Sequence, residues 1–210
     1  MKRIGVDEAG KGDYLGYLVV AAVCVEEEES KLKALGVKDS KKLLDSKVAE
    51  LARAIKIICK YDIVKISPEK YNQLYKKFAP RGLNKLLAWG HARAIENLLS
   101  KVQCDLVITD KFGDESFVNE ALMEKGRKAT IEQRINGESD IAVAAASILA
   151  RDEFLKTLRA LGMEIGFVLP KGATHVEEAA KQLVKKYGET ILDYVAKRHF
   201  KTTKRVLKIT

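Results

Sequence analysis

The chain is poor in the residues that punctuate or staple small folds, with 3 prolines, 3 cysteines and 1 tryptophan in 210 residues. Cys24, Cys59 and Cys104 are odd in number, far apart and without a CxxC pair; each lies in or beside an apolar run. The pattern predicts buried free thiols in a reducing cytoplasm. Long hydrophobic runs are also missing: the longest, Tyr17 to Val25 and Ile141 to Ala150, are too short to span a bilayer. The N-terminus enters a strand-like run with no signal-like segment, so a cytoplasmic protein without membrane contact is expected. No repeat, low-complexity tract or Pro/Gly-rich linker divides the sequence. Residues 1–210 are therefore expected to form one domain, long enough to bury a full core.

Positive charge is what the chain has in excess. Lys plus Arg is 38 against 29 Asp plus Glu, a formal charge of +9, with a pI near 9.3. A chain this basic suits a polyanion, of which nucleic acid is the commonest, although 32% charged residues also fits the Lys/Glu-rich surface of a heat-stable protein. The acids decide between these readings. Lys2 to Val6 is a short strand-like run that ends in Asp7-Glu8 and turns at Gly10-Lys11-Gly12. It comes close to a phosphate loop, GxxxxGK[ST], but Gly12 stands where a hydroxyl is needed and two acids stand where phosphates would lie. Asp105 to Thr109 repeats the plan and ends in Asp110. Acids at the ends of two strands of a basic protein point to bound cations between carboxylates and phosphates, as in two-metal phosphodiester chemistry. Taken singly, each acid also reads as a turn former or helix cap.

Periodicity predicts strands at 2–7, 17–26, 60–66, 105–109 and 128–134. Helices are predicted at 43–57, 68–78, 83–102, 115–124, 139–161, 174–187 and 189–197. The order suggests an α/β fold with one sheet covered by helices. Glu26 to Glu29 reads as a solvated loop, and Trp89 as a core residue beside Leu86, Leu87 and Ile95. His91 and His175 read as surface residues and His199 as structural. Glu138 precedes the alanine run 142–146, where it or Ser139 would cap a helix.

Asp7-Glu8-Ala9-Gly10-Lys11-Gly12-Asp13-Tyr14, Lys38-Asp39-Ser40-Lys41-Lys42-Leu43, Asp110 and Ala144-Ala145-Ala146-Ser147-Ile148-Leu149-Ala150-Arg151 occur in that order. Together they resemble the type 2 ribonucleases H from about residue 2 to 205. The chain is more similar to ribonuclease HIII than to ribonuclease HII. Gly-Lys-Gly-Asp-Tyr follows the paired acids, Glu138 precedes the alanines, and Leu169 to Ala173 and Ala196 to Phe200 have HIII character. The resemblance implies a ribonuclease H-like fold: a mixed central sheet flanked by helices, with a helical C-terminal part from about residue 139. It also implies a site of Asp7, Glu8, Asp110 and Glu138 holding two Mg2+ or Mn2+ ions, with Asp140 contesting the place of Glu138.

A monomeric enzyme cutting the RNA strand of an RNA–DNA hybrid, leaving 3′-hydroxyl and 5′-phosphate ends, would follow. Gly10, Lys11 and Gly12 would meet the sugar 2′-hydroxyl, and Ser40, Lys41, Lys42 and Lys171 would complete substrate binding. One departure stands out: ribonuclease HIII usually carries an N-terminal substrate-binding domain, whereas this chain enters the catalytic strand at once. The alternatives are a ribonuclease HII-type enzyme incising at single ribonucleotides in DNA, and a nucleic-acid-binding module without chemistry.

Overall fold

The computed structural model describes residues 1–38, 40, 43–111 and 115–208. Five strands, β1 (Arg3–Ala9), β2 (Leu18–Val25), β3 (Lys60–Ile66), β4 (Leu106–Asp110) and β5 (Thr130–Arg134), form one sheet in the order β3-β2-β1-β4-β5. β1 pairs antiparallel with β2, and parallel with β4, which in turn pairs parallel with β5. The sheet is therefore mixed, as expected. All eight residues of β2 are buried, which accounts for its unbroken apolar run.

Among the described residues the α-helices are α1 (Glu29–Ala34), α2 (Asp45–Ile58), α3 (Pro68–Lys77), α4 (Gly82–Leu99), α5 (Glu115–Ala121), α6 (Ile141–Glu164), α7 (Glu177–Tyr187), α8 (Ile191–Val195) and α9 (Lys201–Leu207). None is long and apolar enough to cross a membrane.

The chain divides into two compact units. The first consists of Met1–Ala9, Val19–Val64 and Leu83–Asp152, and holds most of the sheet. The pleat sorts its side chains by parity. Ile4 and Val6 of β1 and Val107 of β4 pack with Ala88, Ala92 and Ile95 of α4 and Val118 of α5. Gly5 faces the other way, against α6. A Cβ built there would lie 2.0 Å from the Ala142 carbonyl carbon, so glycine and the alanine run together let helix backbone rest on strand backbone.

The second unit consists of Gly10–Leu18, Lys65–Gly82 and the chain from Glu153 onward. Segment 13–16 is pinned there by C-terminal residues. The Gly172 N–H donates to Asp13 Oδ1 (2.6 Å), the Tyr14 N–H to the Gly172 carbonyl (2.9 Å), and Lys197 Nζ to the carbonyls of Asp13 (2.8 Å) and Gly16 (2.7 Å). Lys197 is 0% exposed, and burial lowers its pKa to about 7. The charge of the chain is segregated between the units. The first has 20 Lys/Arg and 21 Asp/Glu, a net of −1; the second has 18 and 8, a net of +10.

Several elements depart from the sequence reading. β1 continues through Asp7 and Glu8 to Ala9 because it pairs with β2 as far as Ala9 opposite Val19. Glu29 leaves the acidic loop to open α1, held by Arg3 Nη2 at 2.9 Å and Lys33 Nζ at 2.6 Å. α9 lies beyond the last helix predicted from periodicity; its buried Thr203 bonds the Tyr14 hydroxyl at 3.2 Å. Trp89 is only half-buried, with the Arg93 guanidinium 5.8 Å from its ring centre. It lies roughly 160° round α4 from the fully buried His91. The three thiols are free and buried, as the apolar flanks predict, and burial pushes Cys24 up to about 11 and Cys59 to about 12.

Candidate active site

The parallel register that sets Val6 beside Thr109 brings Asp7 alongside Asp110 one residue later, at the carboxyl ends of β1 and β4. That is the rim where open α/β sheets bind their ligands. The pleat then separates the two adjacent acids. Asp7 and Asp110 project to the α6 face, whereas Glu8 and Thr109 project to the α4 face. On the α4 face, His91 Nε2 lies 2.8 Å from Glu8 Oε2, and His91 Nδ1 lies 3.3 Å from Thr109 Oγ1. The Thr109 hydroxyl also lies 2.9 Å from the Asp110 carbonyl, to which it donates. His91 is 0% exposed, which corrects its reading as a surface residue. A sequence signal existed: Leu87, His91, Ala94 and Leu98 share one face of α4, so an imidazole amid apolar residues called for a buried partner.

On the α6 face Asp7 is half-buried beside other acids. Burial, then repulsion by Glu8, with a smaller push from Asp110, raises the Asp7 carboxyl to about 7; a hydrogen bond from Ser147 opposes the rise. Ser147 Oγ is also 2.7 Å from Ser40 Oγ, and Arg151 donates to the Ser40 carbonyl and, at 2.7 Å, to Asp45. Ser40 is 3% exposed, so its hydroxyl lies inside this network. Asp110 Oδ1 accepts the Gly137 N–H at 3.0 Å, and a Cβ on Gly137 would lie 2.8 Å from Asp110 Cα. Glycine thus allows the 3-10 turn Gly137–Ser139, with its half-buried Glu138, to come close against the end of β4.

Asp140, the rival of Glu138, is occupied elsewhere. Its carboxylate takes Arg3 Nε at 2.8 Å, and Oδ1 accepts the Ala142 N–H at 2.8 Å. Asp140, and not Glu138 or Ser139, is the N-cap of α6. The Glu138 carboxylate makes no hydrogen bond or ion pair among the described residues.

Of the remaining site candidates, Gly10, Lys11, Gly12 and Lys171 belong to the second unit, where Gly172 bonds Asp13 and Tyr14 next to the turn. Gly10 has φ +87, and a Cβ there would lie 2.2 Å from the Tyr17 carbonyl, so only glycine serves. Gly12 is exposed with open space around it, Lys11 is half-buried and Lys171 is exposed. Lys41 and Lys42 lie outside the described residues. His175 is exposed, whereas His199 stacks on Tyr75 at 4.3 Å and Tyr71 at 5.5 Å.

The sequence profile of the ribonuclease HII family matches residues 4–203. The chain belongs to this family of ribonuclease H enzymes. Ribonuclease HIII of Protochlamydia amoebophila (strain UWE25) is 48% identical over 207 residues, covering 98% of this chain and 68% of the relative. Among solved structures, Bst-RNase HIII in complex with Mn2+ is 32% identical with a TM-score of 0.90, covering 100% of this chain and 70% of that one. Aquifex aeolicus RNase H3 is 35% identical with a TM-score of 0.74, covering 93% and 71% respectively. The mixed sheet flanked by helices is thus the ribonuclease H-like fold expected from the sequence.

The family uses divalent metals, and the donors here fit one. Asp7, Glu8, Asp110 and Glu138 offer only carboxylate oxygens, the ligands of Mg2+ and Mn2+, and burial, followed by the neighbouring Glu8, raises the Asp7 pKa. Among the described residues no three His, Cys, Asp or Glu side chains are already drawn together as a cage.

Proposed function

We propose that this ribonuclease HII-family chain hydrolyses the RNA strand of RNA–DNA hybrids in the manner of ribonuclease HIII, leaving 3′-hydroxyl and 5′-phosphate ends. The carrying observation is the pairing of Asp7 with Asp110 at the rim of a sheet, where burial and, after it, the like charge of Glu8 raise Asp7 to about 7. Asp7, Asp110 and Glu138 would hold the metal from the α6 face, with Glu8 reaching round from the α4 face. Two bound Mg2+ or Mn2+ ions would supply charge neutralisation and activation of water for in-line attack. Ser147 keeps Asp7 oriented, and the Gly137 N–H does the same for Asp110. Gly10-Lys11-Gly12 would admit the 2′-hydroxyl to close backbone approach, the group that distinguishes RNA from DNA. Lys41, Lys42 and Lys171 would meet phosphates, and Ser40 would anchor its loop through Ser147.

The HIII reading is supported by the 48% identity to a ribonuclease HIII. The net +10 of the second unit supports a polyanionic substrate. The test is incubation with labelled RNA–DNA hybrid, double-stranded DNA, branched DNA and single-stranded RNA, with Mg2+, Mn2+ or EDTA. Metal-dependent cutting of the RNA in the hybrid alone is expected. Metal-independent cutting, or cutting of DNA, would overturn the proposal.

A further inference from the structure

We infer that His91 is a positioning residue for the metal-binding carboxylates, fixing Glu8 directly and the end of β4 through Thr109. The inference rests on the proposed metal-dependent reading of the site. It starts from a problem that the pleat creates. Consecutive residues of a strand point to opposite faces, so Glu8 begins on the wrong face to join Asp7 and Asp110. A glutamate also has three side-chain torsions, and holding it in one conformation costs rotamer entropy. Something must hold it.

His91 stands where that constraint is needed. It occupies the centre of the buried face of α4, flanked by Leu87, Ala88, Ala92, Ala94 and Ile95, with no exposed surface. An apolar side chain would pack there without any polar group to satisfy. Instead the ring uses both nitrogens on strand ends. Nε2 takes Glu8 Oε2 at 2.8 Å, and Nδ1 lies 3.3 Å from Thr109 Oγ1. The Thr109 hydroxyl bonds the Asp110 main-chain carbonyl at 2.9 Å. One rigid ring therefore registers the ends of β1 and β4 against each other, next to both of their acids. Groups that orient metal ligands in this way typically change metal affinity about 10–100-fold when removed.

Two variants test the inference. His91→Leu keeps apolar volume and removes both ring hydrogen bonds; Thr109→Val keeps the shape of the side chain and removes the contact to His91 Nδ1 together with the bond to the Asp110 carbonyl, leaving His91–Glu8 in place. Mn2+ affinity is measured by titration calorimetry on the whole chain without substrate, beside melting temperature and the steady-state kinetics of hybrid cleavage. Expected are Mn2+ binding about 10–100-fold weaker for His91→Leu and about 3–10-fold weaker for Thr109→Val. The value of kcat should fall while KM for the hybrid stays within about threefold, and His91→Gln, which can still donate to Glu8, should recover most of the Mn2+ affinity. A merely structural histidine would lower the melting temperature and leave the Mn2+ affinity of the folded protein unchanged. The inference is overturned if folded His91→Leu binds Mn2+ within twofold of the native chain. Should that variant not fold, Mn2+ binding by Thr109→Val within twofold of the native chain together with a tenfold or greater loss in His91→Gln does the same. If the native chain itself takes up no Mn2+, the reading of the site fails, whatever the variants do.

Discussion

Asp7→Asn should abolish cleavage, and in the metal-free protein it should also stabilise the fold in a pH-dependent manner. The carboxyl is raised from 3.8 to about 7, chiefly by burial and by Glu8, so the folded state holds its proton more tightly than the unfolded chain does. For a raised pKa the sign is fixed. The stabilisation from the protonated form is complete below about pH 4 and is lost as pH rises towards 7. About three pH units at 1.36 kcal/mol each set an upper bound of about 4 kcal/mol for the cost of the ionised group. Asparagine keeps the shape and a hydrogen bond to Ser147 but never carries the charge.

In EDTA, thermal melts should therefore show a small difference at pH 4 and a variant more stable than the native chain at pH 8. At roughly 2–4 °C per kcal/mol for a chain of this size, the shift could reach about 8–16 °C. Adding Mn2+ should narrow or reverse the gap, since metal at 100 times its dissociation constant stabilises by about 2.7 kcal/mol and the variant has lost a ligand. A difference that does not vary with pH, or a variant less stable at pH 8 in EDTA, would refute the reasoning.

Gly5→Ala should cost more than about 2 kcal/mol, because the added Cβ would meet the Ala142 backbone at 2.0 Å; an unchanged denaturation midpoint would contradict the packing of α6 on β1. Lys197→Met should lower the melting temperature by about 4–8 °C, since the carbonyls of Asp13 and Gly16 lose their donor. Hybrid affinity should fall with salt at about −0.9 log units for each phosphate neutralised. Neutralising lysines of the second unit, net +10, should flatten that slope more than neutralising lysines of the first, net −1; equal effects would detach charge segregation from binding. Lys171-Gly172-Ala173 holds no aromatic ring to stack on a sugar, so an RNA strand of four or more ribonucleotides should be cut roughly tenfold or more better than a single ribonucleotide in duplex DNA. Equal kcat/KM on the two would favour the ribonuclease HII alternative.

The sequence by itself determined the strands, most of the helices and the family, because these rest on local periodicity and on short motifs read in order. Asp7 and Asp110 were legible as a pair because each closes an apolar run, and a run that ends in acid marks a strand end whatever lies beside it. The buried thiols were legible for the same reason. What only the tertiary structure decided depends on neighbours distant in sequence. Glu29 pairs with Arg3, so an acidic loop yields a helix start. Thr203 meets Tyr14, 189 residues away in sequence, so a threonine-rich segment of modest helix propensity becomes α9. Asp140 is held by Arg3, 137 positions away, and caps α6, whereas Glu138 has no such tie among the described residues. His91 shows the division most clearly. Its helix and its apolar face were readable, but its role was not, because Glu8 and Thr109 come from two strands that meet the ring only when sheet and helix pack.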